Sequence, residues 1–532
     1  MIAHLTRGGF GRLASVAMLS AVTTAAHAAK PQIQCTPGFF GGVSACAVDM
    51  SLYAVNAITG RAICPPTVQS TGPAPVCAES FAAAMADARL YFQTPATSNS
   101  TYVVRLDAGV YDLTSQTSLP QGQTGVIDVG HIQPGGAGCI DRAASETGDV
   151  VLTGNGCLVI TGDGAASTVL ITADGLSEVH GQRVSHLLIE NINFAKPLGS
   201  TTQGAFVASG VQRINGVAYP TLTIDVPAGM PTPLALYQLN CAASVPFGCT
   251  PRGLPSVVND VYARAYTGGA TPQPVLSTSL ADQNGQYAFG YPQAKGVTAA
   301  AVPPMQPDAV NFPRRWTLVM SPPANARAIP AQYTQTSAGV PNIICLKYDN
   351  GPAFWFDDLA GGGTDIIVNQ VIWTGAARTT FRGVRGALSG SPRGAQIYNS
   401  TIARGPAIGG VTPCLSTQAG GIQIGQPHDP PIWGNAIYNL RAEATADDTV
   451  AIFNDIGGTR GTSGVYYPQS WVRQSSLLNS FGRDLKLYND HAFSGLAGNS
   501  PVLVDAQTQE AISEAGACDP LLGSCPVDYL SY

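Results

Sequence analysis

The stretch NAIYNLRAEATADDTVAIFND, Asn435 to Asp455, aligns without a gap onto SWVRQSSLLNSFGRDLKLYND, Ser470 to Asp490, at an offset of 35 residues. Ile437 falls on Val472, Val450 on Leu485, Ile452 on Leu487 and Asn454 on Asn489. A period of this size marks stacked structural units, each too small to bury its own apolar face. Within each copy, short β-type runs alternate with polar turns and no helical period is present. The copies differ at one informative place: Asp447-Asp448 in the first stands where the second has Gly482-Arg483.

Working outward, the pattern "apolar run, Asn, apolar" returns in SHLLIENINF (Ser185 to Phe194), TDIIVNQVIW (Thr364 to Trp373) and AQIYNSTIAR (Ala395 to Arg404). The steps between Asn369, Asn399 and Asn439 are 30 and 40 residues. Such steps fit one coil per repeat with loops of variable length. An Asn at each turn predicts a ladder of side-chain amides along the stack, and Asn454 with Asn489 predicts a second. The expected fold is all-β: a right-handed parallel β-helix with an inserted β domain and an N-terminal cap. Composition agrees, with 45% hydrophobic residues, only 11% charged, 60 Gly and 39 Pro in 532 residues, which suits a turn-rich β protein.

Residues 1–28 read as a signal peptide: Arg7 and Arg12 are the basic start, Leu13 to Val22 the apolar run, and Ala26-His27-Ala28 the cleavage site. No later run is long and apolar enough for a membrane span. A cap region follows at 29–102, with AESFAAAMADARLYF (Ala78 to Phe92) its helix; the open end of a solenoid core needs such a cover. The β-helix occupies 103–214 and 342–500. Between them, at 215–341, TLTIDV, QPVLSTSLA, GQYAFGY and RRWTLVM are strands separated by Pro/Gly/Ala stretches, an inserted β domain rather than one very long loop. A C-terminal tail spans 501–532.

All 12 cysteines follow the leader, and none has CxxC metal spacing. Close pairs stand at Cys35/Cys46, Cys64/Cys77, Cys139/Cys157, Cys241/Cys249 and Cys518/Cys525, leaving Cys345 and Cys414 for each other. Disulfides in an oxidising compartment are the reading, so the expected location is secreted or periplasmic. The net charge of −6, about −8 without the leader, offers no basic patch for nucleic acid. The expected partner is a polysaccharide or oligosaccharide, neutral or carrying uronates, and no cofactor or metal is called for.

Gly-Ile-x-Ile at Gly421 to Ile424 and Asp-Asp-x-Val-Ala-Ile at Asp447 to Ile452 resemble runs in β-helical glycoside hydrolases of the pectin-lyase-like superfamily. The Asp-Asp run is similar to that of polygalacturonases, and the inserted domain looks like the barrel interrupting the β-helical α-galactosidases. The resemblance covers roughly Gly148 to Asp490. It departs from polygalacturonases at Gln418-Ala419-Gly420, where their upstream acid would fall, and in lacking their Gly-His-Gly. The resemblance implies hydrolysis of a galactose- or galacturonate-type glycan, with Asp447 and Asp448 as catalytic acids.

The residues themselves support an acid site. Alternation along Thr449 to Phe453 sends Val450 and Ile452 inward. Continued backward, it turns Asp448 inward and Asp447 outward; the resemblance turns Asp448 outward too. In the next coil Asp484, Lys486, Tyr488 and Asp490 face out. Coil spacing puts Asp447 and Asp484 on the order of 8 Å apart, the separation an inverting glycosidase needs for its water. Catalytic candidates are therefore Asp447, Asp448 and Asp484. Substrate-binding candidates are Arg382, Arg404 and Arg483 for carboxylates or hydroxyls, Trp373 and Tyr488 as stacking faces, and Gln423, Gln426 and His428 from the segment that leaves strand for loop. Two rival readings remain: a Ca-dependent polysaccharide lyase in which Asp447, Asp448 and Asp484 hold the ion and Arg483 abstracts the proton, and a non-catalytic glycan-binding surface protein.

Overall fold

The computed structural model describes residues 34–40, 43–49, 75–106, 108–113, 119, 124–140, 152–173, 176–196, 201–214, 217–233, 261–266, 305–307, 314–319, 340–348, 353–359, 363–375, 378–390, 392–457, 460–461, 463–468, 470–478, 480, 485–488, 503–504, 511–512 and 525–530. The predicted leader at 1–28, Arg483, Asp484 and Asn489 lie outside them. The fold is mostly β, and its strands form long parallel ladders.

Three parallel ladders run side by side. The first joins Thr101–Leu106, Leu158–Gly162, Ser185–Glu190, Thr364–Asn369, Ala395–Tyr398, Ala436–Tyr438 and the start of Trp471–Leu478. The second joins Gly109–Leu113, Thr168–Thr172, Asn193–Ala195, Ile372–Thr374, Thr401–Ala403, Arg441–Glu443 and the end of Trp471–Leu478. The third joins Gly125–Asp128, Ser177–Gly181, Phe354–Asp357, Thr379–Arg382, Ile422–Ile424, Val450–Phe453 and Leu485–Tyr488. The chain visits the three in turn, so each circuit adds one strand to each ladder.

Register explains the core. Val104, Ile160, Ile189, Val368, Ile397, Ile437 and Val472 are cross-strand partners in one row, all fully buried. Tyr111, Leu170, Phe194, Trp373, Ile402, Ala442 and Leu477 form the matching row of the second ladder. Phe356 and Phe381 stack in the third at 5.1 Å. Burying each such side chain contributes roughly 1.5–3 kcal/mol. The α-helix Pro75–Gln93 lays Phe81, Ala84, Met85, Ala88 and Phe92 on the end of this core, and Arg89 reaches the Asp128 and Gly130 carbonyls. No helix among the described residues is long and apolar enough to cross a membrane.

From Ser185–Glu190 onward, the turn after each first-ladder strand repeats a left-handed residue: Asn191, Gln370, Asn399, Asn439 and Gln474, with φ between 49° and 60°. Asn tolerates this conformation better than other non-glycine residues. The predicted amide ladder is present. Asn439 Nδ2 donates to Asn399 Oδ1 at 3.0 Å, Asn399 Nδ2 to Asn369 Oδ1 at 3.2 Å, and Asn369 Nδ2 to Glu190 Oε2 at 3.3 Å. The expected ladder partner of Asn454, Asn489, lies outside the described residues. The Asn454 amide donates to the Gln426 and Asp429 carbonyls and so pins the loop between them.

Thr201–Ile214, Val217–Asp225, Val261–Tyr266, Met305–Pro307, Arg315–Val319 and Ile343–Tyr348 form a separate antiparallel sheet that interrupts the third circuit, between its second-ladder strand Asn193–Ala195 and its third-ladder strand Phe354–Asp357. It is fastened to the coils. Cys345 is bonded to Cys414, and the Gln203 side chain holds the Thr412 carbonyl and the Cys414 N–H. A second disulfide, Cys139–Cys157, closes a hairpin over the outer face of the first ladder. Cys35 and Cys46 lie opposite each other in a hairpin backbone; the side chains of the remaining predicted pairs fall wholly or partly outside the described residues.

Two predictions follow from the corners. Asn399→Ala forces a Cβ-only residue into the left-handed turn and removes both amide contacts. It is expected to lower urea-unfolding stability by about 2–3 kcal/mol, and Asn399→Gly by about 1 kcal/mol less, since glycine removes only the strain. At another corner, Asp358 is 1% exposed, and burial pushes its carboxyl up to about 6 against the pull of the Arg183 and Val184 amides. The folded state then binds this proton more tightly than the unfolded state. Its contribution is present below pH 4 and is lost as pH rises through 6. Asp358→Asn abolishes that loss. Its stability relative to the parent should improve by about 3 kcal/mol between pH 4 and 7, and a constant difference across that range would contradict the assignment.

Candidate functional site

The outer face of the third ladder carries a row in strict register: Thr380, Gln423, Ala451 and Lys486. Ala451 is the smallest member, and above it opens a cavity of about 230 Å³. Gln423 and Lys486 flank Ala451, Phe453 closes one side, and Gln426 and Pro427 form the rim. Asp447, Asp448 and Arg378 enter from the turns.

The acid loop is held by hydroxyls. Thr445 Oγ1 donates to the Asp447 carbonyl at 2.8 Å and lies 2.7 Å from Thr449 Oγ1. The Ala446 N–H donates to Thr417 Oγ1, and the Gly421 N–H to the Asp448 carbonyl at 3.0 Å. The inserted sheet backs this loop: Ala446 packs in one buried cluster with Tyr266, Cys345, Cys414 and Leu415. Gly420 stands directly beneath. A Cβ there would lie 2.9 Å from the Asp448 carbonyl oxygen, 3.5 Å from Arg378 Cδ and 3.8 Å from Asp447 Cβ. The position is thus kept small, with Arg378 lying against it.

Charges alternate around the opening. Lys486 Nζ is 3.3 Å from Asp448 Oδ2 and 5.7 Å from the Phe453 ring centre. Arg378 Nη1 donates to Gln423 Oε1 at 2.7 Å, and Gln423 Nε2 in turn to the Gly425 carbonyl. Arg378 Nε is buried without a hydrogen-bond partner among the described residues. The arrangement presents two carboxylates, an ammonium, a guanidinium and an amide to one small volume. It contains the groups for proton transfer to and from a polyhydroxylated ligand.

The sequence-based candidates divide. Asp447, Asp448, Gln423 and Gln426 meet at the cavity. Asp448 faces out rather than in because the strand starts only at Val450 and the backbone bends at 446, 447 and 449, so strand alternation does not extend back to it; Val450 and Ile452 are core and Ala451 and Phe453 line the cavity, as alternation requires. Trp373 is 1% exposed, in the second-ladder core row, and has no face to offer a sugar. Arg382 is clamped by Asp429 at 2.7 Å and Asp357 at 3.2 Å, and the Asp429 hydrogen bond raises its pKa above the ordinary value. Arg404 pairs with Glu443 at 2.9 Å, and burial lowers its pKa. His428 is exposed on its loop, away from the cavity lining. Arg483, Asp484 and the Tyr488 side chain lie outside the described residues. Lys486 and Arg378 complete the site; strand alternation signals the first, and the crowding of Arg378, Arg382, Arg385 and Arg404 in the coils before the acids signals the second.

No protein-family model matches this chain, and no curated protein matches it in sequence.

Lys486 tests the electrostatics. Lys486→Met leaves the partly buried Asp448 carboxylate without its ammonium and should cost roughly 1–3 kcal/mol of unfolding free energy. Adding Asp448→Asn should recover at least half of that loss, read by denaturant unfolding at neutral pH; an additive double variant would mean that the pair is not coupled.

Proposed function

We propose that this protein is a secreted or periplasmic glycoside hydrolase built on a right-handed parallel β-helix and acting on a galactose- or galacturonate-type glycan. The observation that carries this reading is the convergence of Asp447 and Asp448 on one open cavity with Lys486, Arg378 and Gln423 around them. Glycosidases need two carboxyl groups in different protonation states. Here the pairing with Lys486 makes Asp448 the ionised member, the base that activates water. Asp447 is then the acid that protonates the leaving oxygen. Arg378 and Gln423 hold sugar hydroxyls or a uronate carboxylate. A cavity of 230 Å³ is smaller than the ~300–1,000 Å³ of closed small-molecule pockets, which suits one subsite on an open face that a polymer can cross. Two disulfides agree with an oxidising destination.

One observation favours a second reading. Lys486 beside a carboxylate is also a candidate proton abstractor, and β-elimination from a uronate would use it in that role.

A product assay on a panel of plant, algal and host glycans separates the two. Hydrolysis predicts reducing ends without ultraviolet-absorbing product, inverted at the new anomeric centre. It also predicts a loss of 100-fold or more in Asp447→Asn and Asp448→Asn, by the usual size of acid–base contributions of roughly 10²–10⁴. An unsaturated, ultraviolet-absorbing product abolished in Lys486→Met would establish the lyase. Glycan binding that survives both Asp→Asn changes, with no cleavage by the parent, would leave a binding protein.

A further inference from the structure

A second, larger cavity of about 470 Å³ opens where the third ladder passes to the first. It shares no lining residue with the Asp447 cavity. Two groups give it chemistry. One is His186, whose Nδ1 lies 2.8 Å from Asp365 Oδ2. The other is Arg385, whose guanidinium lies 5.1 Å from the centre of the Trp433 ring.

The histidine is built in rather than incidental. Asp365 is 1% exposed and receives the Cys139 N–H at 2.9 Å and the Gln396 amide at 3.0 Å, and Gln396 is itself held by the Tyr398 hydroxyl at 3.0 Å. These donors fix the carboxylate so that it fixes the imidazole. Since Nδ1 is engaged, Nε2 is the nitrogen left to meet a ligand. Both residues adopt left-handed backbone, φ 55° at His186 and 56° at Asp365. Later in the same corner column the residue is Gly434, φ 68°, which meets no such strain. Gly138 is needed for the dyad as well: a Cβ there would lie 2.7 Å from Asp365 Oδ2.

Arg385 supplies the charge. Its Nε is buried with no hydrogen-bond acceptor among the described residues, and among them no carboxylate pairs with it. Burial alone lowers its pKa, with no acid to offset the effect. Arginine nevertheless stays charged, and this half-buried guanidinium, with no carboxylate on it among the described residues, offers its charge to an anion in the cavity. The rest of the wall is Gly136, Ala137, Gly363, Gly386, Ala387 and Pro392, small and without charge, with Thr364, whose hydroxyl already donates to the Arg393 carbonyl. The volume lies within the range of small-molecule sites.

We propose that this cavity binds a small organic carboxylate with an uncharged, largely apolar body, its carboxylate on Arg385 and on the Nε2–H of His186, which donates there when the ring carries both protons while Nδ1–H is held by Asp365. The inference is independent of the hydrolase reading.

The test is calorimetric titration of the full-length folded protein with benzoate, benzamide and phenyl phosphate, which share a body and differ in the head group. Benzoate should bind and benzamide should bind at least tenfold more weakly. Arg385→Met should weaken benzoate roughly 10- to 100-fold, the size of a hydrogen bond to a charged group, while Arg385→Lys restores part of the affinity. Asp447→Asn, in the other cavity, should bind benzoate as the parent does, which separates this result from the fate of the hydrolase assignment. In the parent alone, benzoate should shift the His186 ring resonances, so the proposal stays testable even if the variants do not fold. Absence of benzoate binding at millimolar concentration, equal binding of benzamide, equal binding by a folded Arg385→Met, or tighter binding of phenyl phosphate than benzoate would each overturn it.

Discussion

Everything in this molecule depends on register between parallel coils. A strand that slips by one residue relative to its neighbour exchanges its two faces, and here a slip in any coil would break three ladders at once. From the third coil onward, the left-handed corner after the first-ladder strand prevents this. It fixes the point at which the chain turns, and the side-chain amides of Asn369, Asn399 and Asn439 tie that point to the coils on either side. Once the corners align, Val104 through Val472 fall into one buried row without further instruction. The same register places Gln423, Ala451 and Lys486 in line on the opposite, solvent side of the third ladder.

The candidate site is where regular stacking is deliberately interrupted. Asp447 and Asp448 sit on a bend whose shape is set by the Thr445 and Thr449 hydroxyls and by Thr417 in the preceding coil. Two small residues, Gly420 below and Ala451 beside, create the vacancy that the acids share. The inserted sheet is part of this arrangement, since Tyr266 and Cys345 pack against Ala446, one residue before the acids. Packing, turn chemistry and electrostatics therefore converge on a loop of a few residues.

The sequence makes local periodicity visible and long-range convergence invisible. The Asn spacing announces the amide ladder because each coil repeats it. The alternation of Val450 and Ile452 announces the inward face because a strand has period two. The same alternation misleads at Asp448, where the backbone has not yet become a strand. Trp373 reads equally well as a stacking face or a core residue, and only its row, between Phe194 and Ile402, decides for the core. Arg378 reaches Gln423 across 45 residues. His186 meets Asp365 across 179 residues, with the inserted sheet between them in the chain. No pattern within one coil can signal such pairs, because each member is ordinary in its own repeat.

The amide row at the corners has an orientation. Asn439 donates to Asn399, Asn399 to Asn369, and Asn369 to Glu190, so every N–H points the same way. Backbone dipoles in a sheet largely cancel, whereas these side-chain dipoles add and polarise one another. Burial raises the Glu190 pKa, and the Asn369 donor works against that rise. A β structure has in this way acquired an axial field of the kind usually credited to helices, with an acid standing at its positive end.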